Sequence, residues 1–220
     1  MTNIERFNNQ SLPEEIFNSV AHGLGVISAT GGTAVLIVFA CWSRAAVNIV
    51  SSAVYGFTLV FLFAMSTLYH AFTNRRVKKV FQVLDHCSIF LLILGTYTPI
   101  CLSLIGGRTG WLLWAFNAAL TVAGITANAV NLHRWHRLSL VLYLLMGWSV
   151  VVAIKPIMAL LPGGAFYWLL GGGLCYSVGV LFYVAKKPRF MHAIWHIFVL
   201  AGAVLHYFFT LFYVIMPKAI

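Results

Sequence analysis

Long runs of apolar residues, interrupted by short polar stretches, dominate the chain from residue 20 onward. A run of about 20 apolar residues crosses the hydrocarbon core of a bilayer as a helix that rises about 1.5 Å per residue. The pattern therefore predicts an all-α integral membrane protein, a bundle of seven transmembrane helices preceded by a polar N-terminal segment, residues 1–19. The predicted spans are approximately 20–41, 47–72, 80–104, 110–130, 138–161, 164–185 and 190–216.

The composition agrees with a membrane-embedded chain and excludes an ordinary soluble domain. Hydrophobic residues make up 61% of the 220 residues and charged residues only 8%, against about 25% charged residues in a typical globular domain. A formal net charge of +10 would by itself suggest a nucleic-acid partner. In a chain this apolar we interpret the basic excess as a signal of orientation, so the expected partners are membrane lipids and not nucleic acid.

The distribution of Lys and Arg among the polar connections predicts that orientation. If the N-terminus is cytoplasmic, the segment before the first span holds one basic residue, and the successive cytoplasmic loops hold four, two and three. These segments together contain ten of the 14 Lys and Arg residues. No loop on the opposite face holds more than one. Because basic residues stay on the cytoplasmic side, the bias predicts a cytoplasmic N-terminus and an external C-terminus.

Two local signals concern helix ends and helix packing. Ser11, followed by Pro13 and Glu14, predicts the N-cap and first turn of a helix. The glycine run 171–173 in the sixth span predicts a close approach by a neighbouring helix, since residues without a side chain let helix backbones draw together.

Ionisable residues inside apolar spans are costly and therefore mark candidate functional sites. The second span ends with Ser66 and His70, the third begins with Asp85, and the seventh begins with His192 and His196. The spacing of four residues within each pair places both members on a shared helix face. In the predicted topology all five side chains lie at one depth, close to the cytoplasmic face.

If these three helices are neighbours, three imidazoles and a carboxylate converge in one pocket. Three histidines with an open position commonly hold catalytic zinc, although imidazole also suits iron, copper and nickel. We therefore predict zinc as the cofactor, with His70, His192 and His196 as ligands. Asp85 is then either a fourth ligand or the acceptor of a proton from water, and Ser66 a hydrogen-bond donor beside it. Separate interhelical hydrogen bonds are the alternative.

Three other histidines are weaker candidates. His22 lies near the level of the pocket, where we expect a structural hydrogen bond, with metal contact as the alternative. His86 points about 100° away from Asp85 around the helix and is expected to be structural. His206 lies about 15 Å beyond His196 along the same helix, too far to share a metal, and is expected to make an internal hydrogen bond.

At these residues the sequence resembles the progestin and adiponectin receptor family, in its bacterial hemolysin III branch. The resemblance covers nearly the whole chain, from the stretch 14–23 through Ser66-x-x-x-His70 and Asp85-His86 to His192-x-x-x-His196. It implies seven transmembrane helices in a bacterial cytoplasmic membrane, with the N-terminus in the cytoplasm. It also implies a zinc ion held by the three histidines, with Ser66 and Asp85 beside it, and relatives that hydrolyse lipid amides such as ceramides.

These expectations leave several classes of function open. We predict an intramembrane, zinc-dependent hydrolase of a lipid amide or ester, whose substrate enters sideways from the cytoplasmic leaflet. The main alternative is a non-catalytic sensor or regulator of membrane lipid homeostasis with a structural zinc, a kind of site that usually has four protein ligands. A hemolysin-like pore is disfavoured because the spans offer no ring of charges, and a transporter because the two halves do not match.

Overall fold

The computed structural model describes residues 10–185 and 189–218, and within these ranges it contains helices and no strand. The α-helices are α1 Leu12–Trp42, α2 Ala46–Ala71, α3 Arg75–Thr98, α4 Gly107–Trp148, α5 Ile154–Leu160, α6 Gly163–Val184 and α7 Met191–Phe209. Helices of π geometry at Pro99–Ile105 and Thr210–Ile215 continue α3 and α7, and 3₁₀ turns form at Ser149–Ala153 and Met216–Lys218.

Six helical segments in the described ranges are long and apolar enough to cross a membrane, as expected for a membrane helical bundle. The predicted number of seven is not confirmed, because Gly107–Leu160 forms one segment of 54 residues that contains both the fourth and the fifth predicted spans. Residues 1–9 of the predicted N-terminal segment, with Arg6, and the basic loop residues Lys186 and Lys187 lie outside the described residues.

The 54-residue segment is interrupted at Asn131, where the backbone leaves helical geometry with φ −161° and ψ 90°. The side-chain oxygen of Asn131 accepts a hydrogen bond from the backbone N–H of Arg134 at 3.0 Å. An N-cap residue makes this kind of bond at the start of a helix. Regular helix therefore stops and restarts within the connection that the sequence predicts between residues 130 and 138.

Helix α1 begins where the sequence predicts a helix start, directly after Ser11. The backbone N–H and the hydroxyl of Ser11 both donate to Glu14 Oε2, each at 2.7 Å, so the Glu14 carboxylate satisfies donors that the first turn would otherwise leave free. The apolar helix runs from residue 12, not from residue 20. It therefore carries Glu14 and Glu15 into the bundle, where Glu14 is buried.

Helix packing brings several helix ends together. Helix α1 packs against α2 and α7, α2 against α3, and α6 against α7. Only residues 72–74 connect α2 to α3, so the end of α2 and the start of α3 lie side by side. The N–H of Phe190 donates to Glu14 Oε1 at 2.6 Å, which places the start of α7 beside the start of α1. One end of the bundle thus gathers the segments that carry the predicted chemistry.

The predicted close approach at the glycine run occurs at Gly172, on α6. The ring of His206 on α7 lies directly over this glycine, so that a methyl group there would overlap ring atoms. The ring is held in place because His206 Nε2 donates to the Leu169 carbonyl at 3.1 Å, the internal hydrogen bond expected for this residue. At Gly171 the nearest atom to an added methyl group is Leu205 Cδ1 at 3.5 Å, an ordinary contact.

Gly172→Ala is therefore expected to destabilise the bundle, whereas Gly171→Ala is not. Overpacking costs about 1–3 kcal/mol, while alanine in a helix gains up to about 1 kcal/mol over glycine where space allows. Thermal unfolding of the purified variants in detergent measures both effects. We expect a lower midpoint for Gly172→Ala and an unchanged or higher midpoint for Gly171→Ala. Equal midpoints for the two variants would contradict the packing described here.

Candidate metal centre

Three histidines from two helices meet at the end of the bundle where α2 ends and α7 begins. His70 lies in the last turn of α2, and His192 and His196 lie in the first two turns of α7. One ring nitrogen from each of the three lies within 4.8 Å of the others. The ring centroids of His192 and His196 are 4.6 Å apart, and those of His70 and His196 are 4.9 Å apart. The convergence that the spacing predicts is thus present in the structure.

The unpaired nitrogens of these histidines fit a metal ion. His70 Nε2, His192 Nε2 and His196 Nδ1 are all buried and have no hydrogen-bond partner among the described residues. A buried polar atom without a partner costs about 1–3 kcal/mol, so three such atoms in one place are typical of a ligand-binding site. Neutral imidazoles are ligands for zinc and for several other divalent transition metals. The cluster could therefore bind a metal ion.

Asp85 and Ser66 lie on the wall of the same cavity as two of the histidines. This cavity has a volume of about 110 Å³ and is lined by Ser66, Asp85, His192 and His196 among others. The Ser66 hydroxyl lies beside the Asp85 carboxylate, and both residues are buried. A water molecule needs about 10–15 Å³ of such space. The cavity therefore has room for several waters.

His22 reaches this end of the bundle but does not make the structural hydrogen bond expected from the sequence. Both of its ring nitrogens are buried and unpartnered within the described residues. Its ring packs on the ring of His196, with centroids 3.8 Å apart and planes inclined by 33°. His22 is not a member of the group whose nitrogens lie within 4.8 Å of one another. It contacts a member of the cluster through its ring.

His86 has the structural role that its position predicts. Its Nδ1 donates to the carbonyl oxygen of Gln82 at 2.8 Å, so its Nε2 accepts a hydrogen bond from the Tyr183 hydroxyl at 3.0 Å. The Tyr143 hydroxyl donates to the His86 carbonyl at 2.7 Å. These contacts hold α3 beside α4 and α6 at the level of Asp85.

Two glutamates that the sequence reasoning left outside the site contact it in the structure. Glu15 Oε2 accepts a hydrogen bond from His70 Nδ1 at 2.7 Å, and Glu15 Oε1 forms an ion pair with Lys78 at 2.8 Å. Glu14 Oε1 accepts the N–H of Phe190, whose φ of 64° is in the left-handed region. That conformation costs a residue with a side chain about 1–2 kcal/mol, so the bond to Glu14 stabilises the turn that leads into His192.

Known proteins match this chain over the whole region that contains the candidate site. The profile of the family described as "Haemolysin-III related" matches residues 10–207, a stretch that contains every candidate site residue. The chain belongs to this family. Among bacterial relatives, Hemolysin-3 of Bacillus cereus is 41% identical over 210 residues, which is 96% of this chain and 95% of that protein. The Hemolysin-3 homolog of Bacillus subtilis (strain 168) is 40% identical over 203 residues, 92% and 95% of the two chains.

A more distant relative comes from a plant. The Heptahelical transmembrane protein ADIPOR2 of Oryza sativa subsp. japonica is 30% identical over 155 residues, 61% of this chain and 68% of that protein. The resemblance drawn from the sequence motifs is thus confirmed for the family. The chain is a multi-pass membrane protein of the haemolysin-III related family, with bacterial relatives along nearly its full length.

In this haemolysin-III related chain, one sequence signal could have placed Glu15 on the inward face of α1. The cap at Ser11 starts the helix early enough to include both glutamates. From there, residues 15, 18 and 22 follow the spacing of a single helix face, and Asn18 and His22 are buried members of that face. A carboxylate on the face that carries buried polar residues points into the bundle, not towards the headgroups.

Proposed function

We propose that the chain crosses the membrane seven times, with its N-terminus in the cytoplasm and its C-terminus outside. A continuous helix of 54 residues would be about 80 Å long at 1.5 Å per residue, more than twice the roughly 30 Å hydrocarbon core. The break at Asn131 supports two crossings within this segment. The printed name of the rice relative, which calls that protein heptahelical, supports the same count, and the bias of basic residues supports the orientation.

We propose that the protein is an intramembrane hydrolase of a lipid amide or ester, with zinc at the three histidines. The observation that carries the proposal is the group of three buried, unpartnered histidine nitrogens beside a cavity that also exposes Asp85 and Ser66. A bound zinc ion would polarise a substrate carbonyl and make water more acidic. Structural zinc sites, in contrast, usually lack a cavity with room for water and substrate.

The residues of the chain then have distinct roles. Asp85 holds the attacking water in the cavity and accepts its proton, as a general base does. The Ser66 hydroxyl donates to the Asp85 carboxylate or to the oxygen on which negative charge develops. His70, His192 and His196 remain neutral, because only an uncharged imidazole offers a lone pair. The walls of the bundle exclude bulk water, which strengthens each of these electrostatic interactions.

The cavity also offers space for an acyl chain. A second cavity of about 230 Å³ adjoins the first and shares Thr96, Tyr97, Trp148 and His206 with it. Thr96 lies about 16 Å along α3 from Asp85, at 1.5 Å per residue. Most of the further residues that line the second cavity are apolar, such as Ile100, Val150 and Leu169. A lipid with its carbonyl group at the histidines would place its hydrocarbon tail in this apolar extension.

Turnover by the purified protein tests the proposed function. Wild-type protein in liposomes would be incubated with N-acyl and O-acyl lipids, and the released fatty acid measured by mass spectrometry. We expect turnover by the wild type, its loss after metal chelation, its recovery on addition of zinc, and no turnover by His192→Ala. Fatty acid release that is equal in the wild type and in His192→Ala would show that the activity does not come from this site.

A second candidate function is a non-catalytic membrane sensor with a structural metal. The observation that favours it is His22, a fourth buried histidine with unpartnered nitrogens packed on His196. If the His22 ring turned towards the other three, four protein ligands would close the site, as is usual for structural zinc. X-ray absorption on the zinc-loaded protein counts the coordinating imidazole rings through their multiple scattering. Four imidazoles favour the sensor, and three favour the hydrolase.

A further inference from the structure

We propose that Glu15 is a positioning residue of the metal site, which fixes His70 in the tautomer and orientation that binds the ion. This inference rests on the metal site proposed above and adds to it a residue from the first helix. The carboxylate accepts a hydrogen bond from His70 Nδ1 at 2.7 Å. The side chain of His70 is 0% exposed and that of Glu15 13% exposed, so water competes little for this contact.

The chemistry of the two groups determines the tautomer. An ionised carboxylate can only accept hydrogen bonds, so His70 Nδ1 carries the proton. In the neutral ring His70 Nε2 then bears the lone pair, and this is the nitrogen that is buried without a partner and belongs to the three-histidine cluster. Histidines that bind metals commonly donate their other N–H to a carboxylate, which orients the ring and raises its basicity as a ligand.

Lys78 keeps the carboxylate ionised and in place. Its ammonium group lies 2.8 Å from Glu15 Oε1, the oxygen that does not contact His70. The side chain of Lys78 is 12% exposed. Lys78 lies on α3, Glu15 on α1 and His70 on α2, so the two contacts of Glu15 join three helices. Opposite charge at this distance favours the ionised carboxylate. The linked side chains of Lys78, Glu15 and His70 therefore extend from the end of the bundle to the three-histidine cluster.

The first turns of α1 thus support both halves of the three-histidine cluster. Glu15 contacts His70 at the end of α2, while its neighbour Glu14 holds the Phe190 N–H at the start of α7, two residues before His192. The two contacts differ in kind, because Glu15 bonds directly to a histidine and Glu14 bonds to backbone. This difference makes Glu14 a comparison for the loss of one negative charge without the loss of a bond to a histidine.

Metal affinity of purified protein tests the role of Glu15. The variants are Glu15→Ala, which removes both the charge and the acceptor, and Glu15→Gln, which keeps an acceptor oxygen for His70 Nδ1 but carries no charge. Removal of a group that orients a metal ligand typically weakens metal binding about 10–100-fold. We expect a loss in that range for Glu15→Ala and a smaller loss for Glu15→Gln in titrations with buffered zinc. Cobalt-loaded protein should show an altered visible absorption spectrum in Glu15→Ala, a readout that a merely structural role would not move.

The controls separate this inference from the metal site itself. Glu14→Gln removes the same charge one residue away, where the carboxylate bonds to Ser11 and to the Phe190 N–H but to no histidine, so its zinc affinity should fall less than that of Glu15→Ala. Lys78→Gln should weaken binding less than Glu15→Ala. If the wild type binds zinc and Glu15→Ala binds it equally well with the same spectrum, the positioning role is wrong and the site stands. If the wild type binds no metal, both proposals are wrong. If Glu15→Ala does not fold, Glu15→Gln is the test. Wild-type zinc affinity and an unchanged cobalt spectrum in Glu15→Gln would show that the positioning role is wrong.

Discussion

Alanine at His70, His192 or His196 should abolish stoichiometric metal binding. Purified wild-type protein should carry one zinc ion per chain, and each of the three variants close to none after removal of free metal. The reason is geometric, since each histidine contributes one of three nitrogens within 4.8 Å of one another, and the two that remain cannot form a site without a third ligand from the protein. Elemental analysis of the protein after gel filtration gives the metal content per chain.

A matched control for this prediction lies on the same helix. His206 is also on α7, but it donates to the Leu169 carbonyl and lies about 15 Å beyond His196 along the helix. His206→Gln should therefore keep the wild-type metal content, even if its contact with Gly172 makes the bundle less stable. Full metal content in all three cluster variants would overturn the assignment of the site. Loss of metal in His206→Gln as well would show that the cluster depends on the whole bundle and not on its own ligands.

The shared depth and helix faces of the three histidines were predictable because they follow from two independent regularities. Helical spacing pairs His192 with His196 on one face, and the alternation of basic loops predicts that the end of the second span and the start of the seventh lie on the same side of the membrane. Neither regularity depends on the contacts between particular helices. The structure places His70 beside that pair, and the family relationship extends across all three residues.

The role of the first helix was not predictable in the same way. The apolar pattern begins near residue 20, and the polar first turns of α1 read as part of a cytoplasmic segment. Only the packing of α1 against α2 and α7 brings Glu14 and Glu15 to their partners. Hydropathy reports the depth of a residue in the membrane, but it does not report which neighbouring helix a polar side chain meets.

The connection between the fourth and fifth spans also differs from what the sequence pattern predicts. The polar stretch between residues 130 and 138 predicts a loop, whereas the structure joins two helices directly there, with a break at a single non-helical residue, Asn131. Residues such as Leu132 and Leu138 are compatible with helix, and an asparagine can end one helix and cap the next. A polar connection between two spans therefore need not be an irregular loop.

Asp85→Asn should lower lipid hydrolysis by about 10²–10⁴-fold, the usual contribution of a general base, while the protein keeps its metal. Asparagine has the shape of aspartate and keeps an oxygen beside the Ser66 hydroxyl, but its amide oxygen does not take a proton from water at neutral pH. The two readouts together assign Asp85, because a direct ligand would be needed for tight metal binding and a proton acceptor would not. The measurements are fatty acid release and zinc content on the same preparation.

Each combination of these two readouts for Asp85→Asn has a separate meaning. Metal retained with activity lost supports a proton acceptor on the cavity wall, where Asp85 lies with Ser66 and His196. Metal lost together with activity makes Asp85 a fourth ligand and favours a closed, structural site. Wild-type activity in the variant excludes Asp85 from the chemistry altogether. Ser66→Ala provides the comparison, since a residue that only donates a hydrogen bond to Asp85 should cost less activity than Asp85 itself and should leave the zinc content unchanged.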